Sequence, residues 1–163
     1  MADAQPRNPD LTEAEKRANV VRLAFENDSR KLDRFVELVR ASIPENTGAV
    51  LRGSAVTGYR WKDGAGFDAD GPRTSDLDLT LVGDRILDYF KITGFFVPGV
   101  HSRPLSDDDP DIAPGLVTLR RQLINLVDRP VNIQGTRDLV MYLRGEFMGQ
   151  PYLTLIGKPE PRT

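Results

Sequence analysis

The chain has 163 residues, 39% of them hydrophobic and 28% charged, with a formal net charge of −2. That length suits one domain, which buries roughly two-thirds of its unfolded surface and needs no covalent or metal staple. Cysteine is absent and histidine occurs once, as His101. Thiolate metal centres, thiol nucleophiles, disulfide scaffolds and sites needing two His ligands are therefore excluded.

Residues 1–10 carry two prolines and no large apolar residue after Met1, and read as a flexible tail ahead of a single domain over residues 11–163. Thr12-Glu13-Ala14-Glu15 fits a capping box, and Ala14, Ala18, Val21 and Phe25 follow at helical spacing, which predicts a first helix ending near Asn27. A second helix starts at Asp28 or Ser29, carries Leu32, Phe35, Val36, Val39 and Ile43 on one stripe, and stops at Pro44. Ala49-Val50-Leu51 reads as a short buried strand, followed by Gly53, Ser54 and Gly58. The glycine- and charge-rich stretch from Lys62 to Arg73 reads as a surface loop or one arm of a hairpin.

From Ser75 to Val82 polar and apolar residues alternate, the clearest strand pattern in the chain. Ile86, Leu87, Phe90 and Ile92 suggest a short helix. Residues 93–114, rich in Gly, Pro and Asp, read as a long loop with His101 exposed in it. The acidic run Ser106-Asp107-Asp108-Asp109-Pro110-Asp111 reads as a solvated turn. Leu116, Leu119, Leu123, Ile124 and Val127 form another helical stripe, and Pro130 to Gln134 alternates as a third strand. A helix from Thr136 through Leu143 and an extended end at Tyr152–Ile156 complete the prediction. The fold class expected is α/β (α+β): a small mixed sheet flanked by helices, two of them N-terminal.

Asp76 and Asp78 are two apart in the alternating strand, so their carboxylates share one face while Leu77, Leu79 and Leu81 face the other way. Paired carboxylates stay ionised together only with positive charge between them, and a hard divalent cation, Mg²⁺ or Mn²⁺, meets that need. Upstream, Gly53-Ser54 follows a buried strand. Glycine there lets the backbone approach a ligand closely, and a helix starting at Ser54 offers free N–H groups to an anion. Phosphate-cradling and metal-binding elements in this order describe a site for a metal–nucleotide complex.

The segments Leu51-Arg52-Gly53-Ser54-Ala55-Val56-Thr57-Gly58 and Arg73-Thr74-Ser75-Asp76-Leu77-Asp78-Leu79 resemble the core motif of the DNA polymerase β-like nucleotidyltransferase superfamily. The resemblance spans residues 49–82. It implies a nucleotidyltransferase-like core, with Gly53 and Ser54 on the triphosphate and Asp76 and Asp78 as catalytic Mg²⁺ ligands. It further implies transfer of a nucleoside monophosphate such as AMP from a nucleoside triphosphate to a hydroxyl, with release of pyrophosphate. Arg60, Lys62, Arg73 and Ser75 are further candidate phosphate contacts, and Trp61 a candidate to stack on a base.

Two departures from that family pattern matter. The stretch between the Gly-Ser and the Asp pair is longer than in minimal members. The third carboxylate of the family, on a later strand, is expected at the position of Asn132, and a neutral amide cannot act as a general base. The alternative is therefore a catalytically inactive member serving as a nucleotide-binding or protein-interaction module. Minimal members often form half of a toxin–antitoxin pair or a domain in bacterial conflict systems, which implies a possible partner protein. The acceptor could be protein, RNA or a small molecule; the pI of about 5.5 argues against a processive nucleic-acid enzyme. No apolar run long enough for a membrane span and no secretory leader are evident, so a cytoplasmic location without membrane contact is expected.

Overall fold

The computed structural model describes residues 11–60, 63–137 and 150–157. Helix α1 (Glu13–Ala24) opens on the expected capping box: Thr12 Oγ1 accepts from the Glu15 amide at 3.1 Å and Glu15 Oε1 accepts from the Thr12 amide at 3.0 Å. Helix α2 (Ser29–Ser42) is capped by Asp28, whose carboxylate accepts from the Arg30 amide at 3.0 Å. Phe25 and Phe35 meet edge to face, ring centroids 5.4 Å apart, and join the two helices.

Strand β1 (Gly48–Arg52) leads into a single helical turn, α3 (Ser54–Thr57), and then into β2 (Leu77–Val82). Strands β3 (Phe95–Val97) and β4 (His101–Ser102) follow, then helix α4 (Val117–Val127), β5 (Val131–Thr136) and β6 (Tyr152–Ile156). The six-stranded sheet runs β3-β4-β5-β2-β1-β6, with β2 and β5 parallel and every other pairing antiparallel. Helix α4 supplies the crossover that a parallel pair requires.

Alternation divides the sheet into two chemically different faces. Leu77, Leu79, Leu81, Val131 and Ile133 point toward the helices and share one core with Val20, Phe35, Leu119 and Leu123. The opposite face carries Arg52, Asp78, Thr80, Asn132, Gln134 and Thr136 in register across β1, β2 and β5. Of these, Arg52, Thr80, Gln134 and Thr136 are buried. Burial of so many polar groups demands internal hydrogen bonds, and they are made. Gln134 Nε2 donates to the Ser102 carbonyl at 3.1 Å, the Gly135 amide donates to Ser102 Oγ at 2.9 Å, and His101 Nδ1 lies 2.6 Å from Thr136 Oγ1.

The mixed helix-and-sheet class is as expected, with local corrections. Residues 93–114 are not one loop: β3 and β4 turn back on each other around Gly99, at φ 76°, and Leu105 bridges Ile133 of β5. His101 is buried in β4 rather than exposed. The Ile86–Phe90 stretch forms a 3₁₀ helix (Arg85–Tyr89), and Ile92 lies outside it, 87% exposed. Strand β2 starts at Leu77 rather than Ser75, because Ser75 is held by the preceding loop and the first ladder bond is Leu77 N–H to the Pro130 carbonyl at 2.9 Å. Strand β5 continues through Thr136, where a helix was expected; the rest of that helix lies outside the described residues, as do the tail, Trp61 and Lys62. No helix among the described residues is long and apolar enough to cross a membrane.

Phe35 is fully buried at the helix–sheet junction, whereas Ile92 is solvated. Phe35→Ala is expected to cost about 3–5 kcal/mol in urea unfolding, and Ile92→Ala less than about 0.5 kcal/mol.

Candidate functional site

The pairing of β1, β2 and β5 brings Arg52, Asp78 and Asn132 side by side at one end of the sheet, since Asp78 is the register partner of both. Asp76 lies one residue before β2 and joins them: Asn132 Nδ2 donates to Asp76 Oδ2 at 2.8 Å and to Asp78 Oδ1 at 3.2 Å. The amide thus bridges both carboxylates, and the expectation that the Asp pair shares a face holds although only Asp78 is within the ladder.

Gly53 closes the site from the β1 side. Its φ of 94° lies in the region glycine favours, and a Cβ on it would sit 2.9 Å from Asp78 Oδ2. Only a residue without a side chain lets that carboxylate rest against the turn. Ser54 follows as the first residue of α3, and Gly58 ends the turn in the left-handed conformation at φ 89°. Gly53, Asp76, Asp78 and Asn132 therefore converge, and Ser54 is the residue that follows Gly53.

Two arginines complete the surroundings: Arg52, to which the sequence gives no role, and Arg120, which with Arg121 is a plausible phosphate contact in the sequence, at most one of that pair facing the site. Arg52, 6% exposed, lies beside Asp78 with Nη1 3.8 Å from its Oδ2; its Nε donates to Thr80 Oγ1 at 3.3 Å and its Nη2 donates to Gln134 Oε1. The available signal was a cation ending an otherwise apolar strand, immediately before Gly-Ser. On the far side, Arg120 of α4 donates from Nε to the Val131 carbonyl at 2.8 Å and pairs through Nη2 with Asp107 at 2.7 Å. Asp107 thus lies on a solvated turn, as expected, with Arg120 as its partner.

The Asp76 carboxyl is held above its ordinary range. Loss of hydration is the main cause; the Asn132 amide opposes it, Asp78 and Asp107 push the same way as burial, and Arg120 pulls down. Asp76 as a residue is exposed, so the effect belongs to the carboxyl crowded against Asn132 rather than to a buried side chain. The electrostatics are those of a carboxylate pair short of positive charge.

The remaining phosphate candidates are engaged elsewhere. Arg60 pairs with Asp70 at 2.8 Å and with Asp63 at 3.6 Å within a small hairpin bridged at Tyr59 and Gly66. Arg73 pairs with Asp128 at 2.9 Å. Ser75 Oγ accepts from the Asp68 amide at 2.7 Å. The base of the hairpin is clamped by Arg129, which makes two hydrogen bonds to Asp68, at 2.8 and 3.2 Å, and lies over the Phe67 ring at 4.5 Å.

Two carboxylates suit a single Mg²⁺, which takes one or two of them and fills its shell with water and substrate phosphates. Asn132 adds an amide whose carbonyl oxygen could serve as a further ligand if the group turned end for end. Among the described residues, no cluster of three or more His, Cys, Asp or Glu side chains is disposed to hold a metal ion. No protein-family model, curated protein or solved structure matches this chain.

Gly53→Ala is expected to cost about 1–3 kcal/mol in urea unfolding, because it combines left-handed strain with the Asp78 clash. The clamp gives a pH signature. Burial alone would raise the Asp68 carboxyl, but hydrogen bonds from Arg129 and from the Ser75 and Arg73 amides outweigh it and hold the group at about 2. The stability that this contributes is complete above the ordinary value of 3.8 and disappears as pH falls through about 2. Asp68→Asn should therefore lower the neutral-pH unfolding midpoint and flatten the acid limb between those values.

Proposed function

We propose that this chain binds a nucleoside triphosphate with Mg²⁺ at the Asp76–Asp78 edge and transfers its nucleoside monophosphate to an acceptor hydroxyl. The observation that supports this most is the convergence of Gly53 and Asn132 on the two carboxylates from separate strands. In the transfer, the acceptor oxygen bonds to the α-phosphorus, the α–β bridging bond breaks, and pyrophosphate leaves with that bonding pair. Asp76 and Asp78 would hold the ion, which would supply positive charge to the phosphates; Mn²⁺ would take the same oxygen donors. Gly53 and the start of α3 approach the phosphates through backbone. The acceptor hydroxyl gives up its proton to solvent water as its oxygen bonds to phosphorus. A net charge of −2 favours a protein or small-molecule acceptor over a long nucleic acid.

A second reading rests on Asn132. Its Nδ2 donates to both carboxylates and so does part of the work of a cation. On that reading the fold binds nucleotide, or a partner protein, without transfer.

Thermal unfolding with each of the four nucleoside triphosphates, with and without Mg²⁺ or Mn²⁺, tests the proposal. At 100 times its Kd one nucleotide should add about 2.7 kcal/mol in a metal-dependent way, and Asp78→Asn should abolish the gain. Labelled nucleoside monophosphate appearing on an acceptor then separates transferase from binding module. Stability unchanged by every metal–nucleotide pair sinks both nucleotide readings. Without cations, Asp76→Asn should be neutral or slightly stabilising, since it removes one charge from a repelling pair.

A further inference from the structure

Arg120 and Asp107 form an unequal pair. The Arg120 side chain is 12% exposed, whereas that of Asp107 is 83% exposed. The guanidinium is anchored by its Nε to the Val131 carbonyl, and Val131 pairs with Leu77, the residue between Asp76 and Asp78. The cation is thus fixed to the start of β5, one residue from Asn132 and near enough to Asp76 for its charge to be felt there. Its neighbour Arg121 lies about 100° further round the helix and is exposed. Asp107, by contrast, sits on a surface turn closed by Ser106, whose carbonyl accepts from the Asp109 amide at 3.2 Å. An ion pair with a solvated carboxylate contributes little, so exchanging it costs little. A phosphate offers the same guanidinium more charge and a matching pair of oxygens.

Resting on the proposed nucleotide site, we infer that Arg120 is a phosphate-contacting residue whose guanidinium Asp107 occupies until a di- or triphosphate displaces it. The exchange has an electrostatic logic on both sides. Asp107 adds a third negative charge beside Asp76 and Asp78, and its release removes a repulsion from the place where anionic phosphates must enter. Arg120 needs no rearrangement of its stem, because Nε stays on the Val131 carbonyl while the outer nitrogens change partner.

The two members of the pair should respond with opposite sign. Calorimetric titration of the full chain with inorganic tripolyphosphate and Mg²⁺ omits the base and reads phosphate binding alone. Asp107→Asn should tighten binding by about 3–10-fold, Arg120→Gln should weaken it about tenfold or more, and Arg120→Lys should fall between. The exposed position of Asp107 leaves the fold intact in its variant, so that arm remains readable even if Arg120→Gln unfolds. Weaker binding by Asp107→Asn overturns the inference and makes Asp107 a ligand in its own right. Binding by the wild type that Asp78→Asn abolishes, but that neither Asp107→Asn nor Arg120→Gln alters, overturns the inference and leaves the nucleotide site standing. No Mg²⁺-dependent binding of tripolyphosphate or of any nucleoside triphosphate by the wild type overturns both.

Discussion

A buried guanidinium organises the polar face of this sheet. Arg52 ends β1 at 6% exposure, and a cation so placed is tolerated only with its hydrogen bonds satisfied and countercharge at hand. Thr80 and Asp78 of β2 and Gln134 of β5 surround it, so three strands are tied through one side chain. Gln134 passes the link on to the Ser102 carbonyl in β4. The same cation lies 3.8 Å from Asp78. The carboxylate pair is therefore polarised: one member has a charge beside it, and the other relies on the neutral Asn132 amide and on Arg120. The Asp76 carboxyl, displaced upward mainly by lost hydration, is drawn back by Asn132 and Arg120.

How much of this was legible in the sequence depended on how local the cause is. The capping box of α1, the apolar stripes of α2 and α4 and the alternation of β2 are set by neighbours within a few residues, and they appear where the pattern puts them. Strands β3 and β4 are three and two residues long and exist through pairing with each other and with β5, so their Gly- and Pro-rich surroundings read as loop. Within the site, Gly53, Asp76 and Asp78 could be read from residue type and spacing. Arg52 could not, because its partners lie 28 and 82 residues further along the chain. The pairings of Arg60 with Asp70 and of Arg73 with Asp128 were likewise not legible, because no local pattern links those residues.

The stretch between Gly58 and Asp76 illustrates how a long connection is accommodated beside a site. Tyr59 and Gly66 bridge within it, while its far end is fastened by the Asp68–Arg129 pair and by mutual hydrogen bonds between Asp68 and Ser75. Fastening that end decouples the length of the connection from the position of Asp76, which immediately follows Ser75. Closing a longer loop adds only slowly to its entropic cost, so length by itself is a weak penalty.

The parallel pairing of β2 with β5 carries a consequence for how the protein is made. Asn132 reaches Asp76 and Asp78 across sequence separations of 56 and 54 residues, and the ladder cannot close before helix α4 has been laid down between its strands. Non-local parallel pairing is slow to form relative to helices and hairpins. As the chain emerges from the ribosome N-terminus first, both aspartates are outside long before their amide partner. During that interval the two charges repel in the open, and the strand that bears them has an unpaired edge. Synthesis of the last third of the chain is thus the step at which the carboxylates are first drawn together, and a chain stalled before residue 132 has no means of assembling the site.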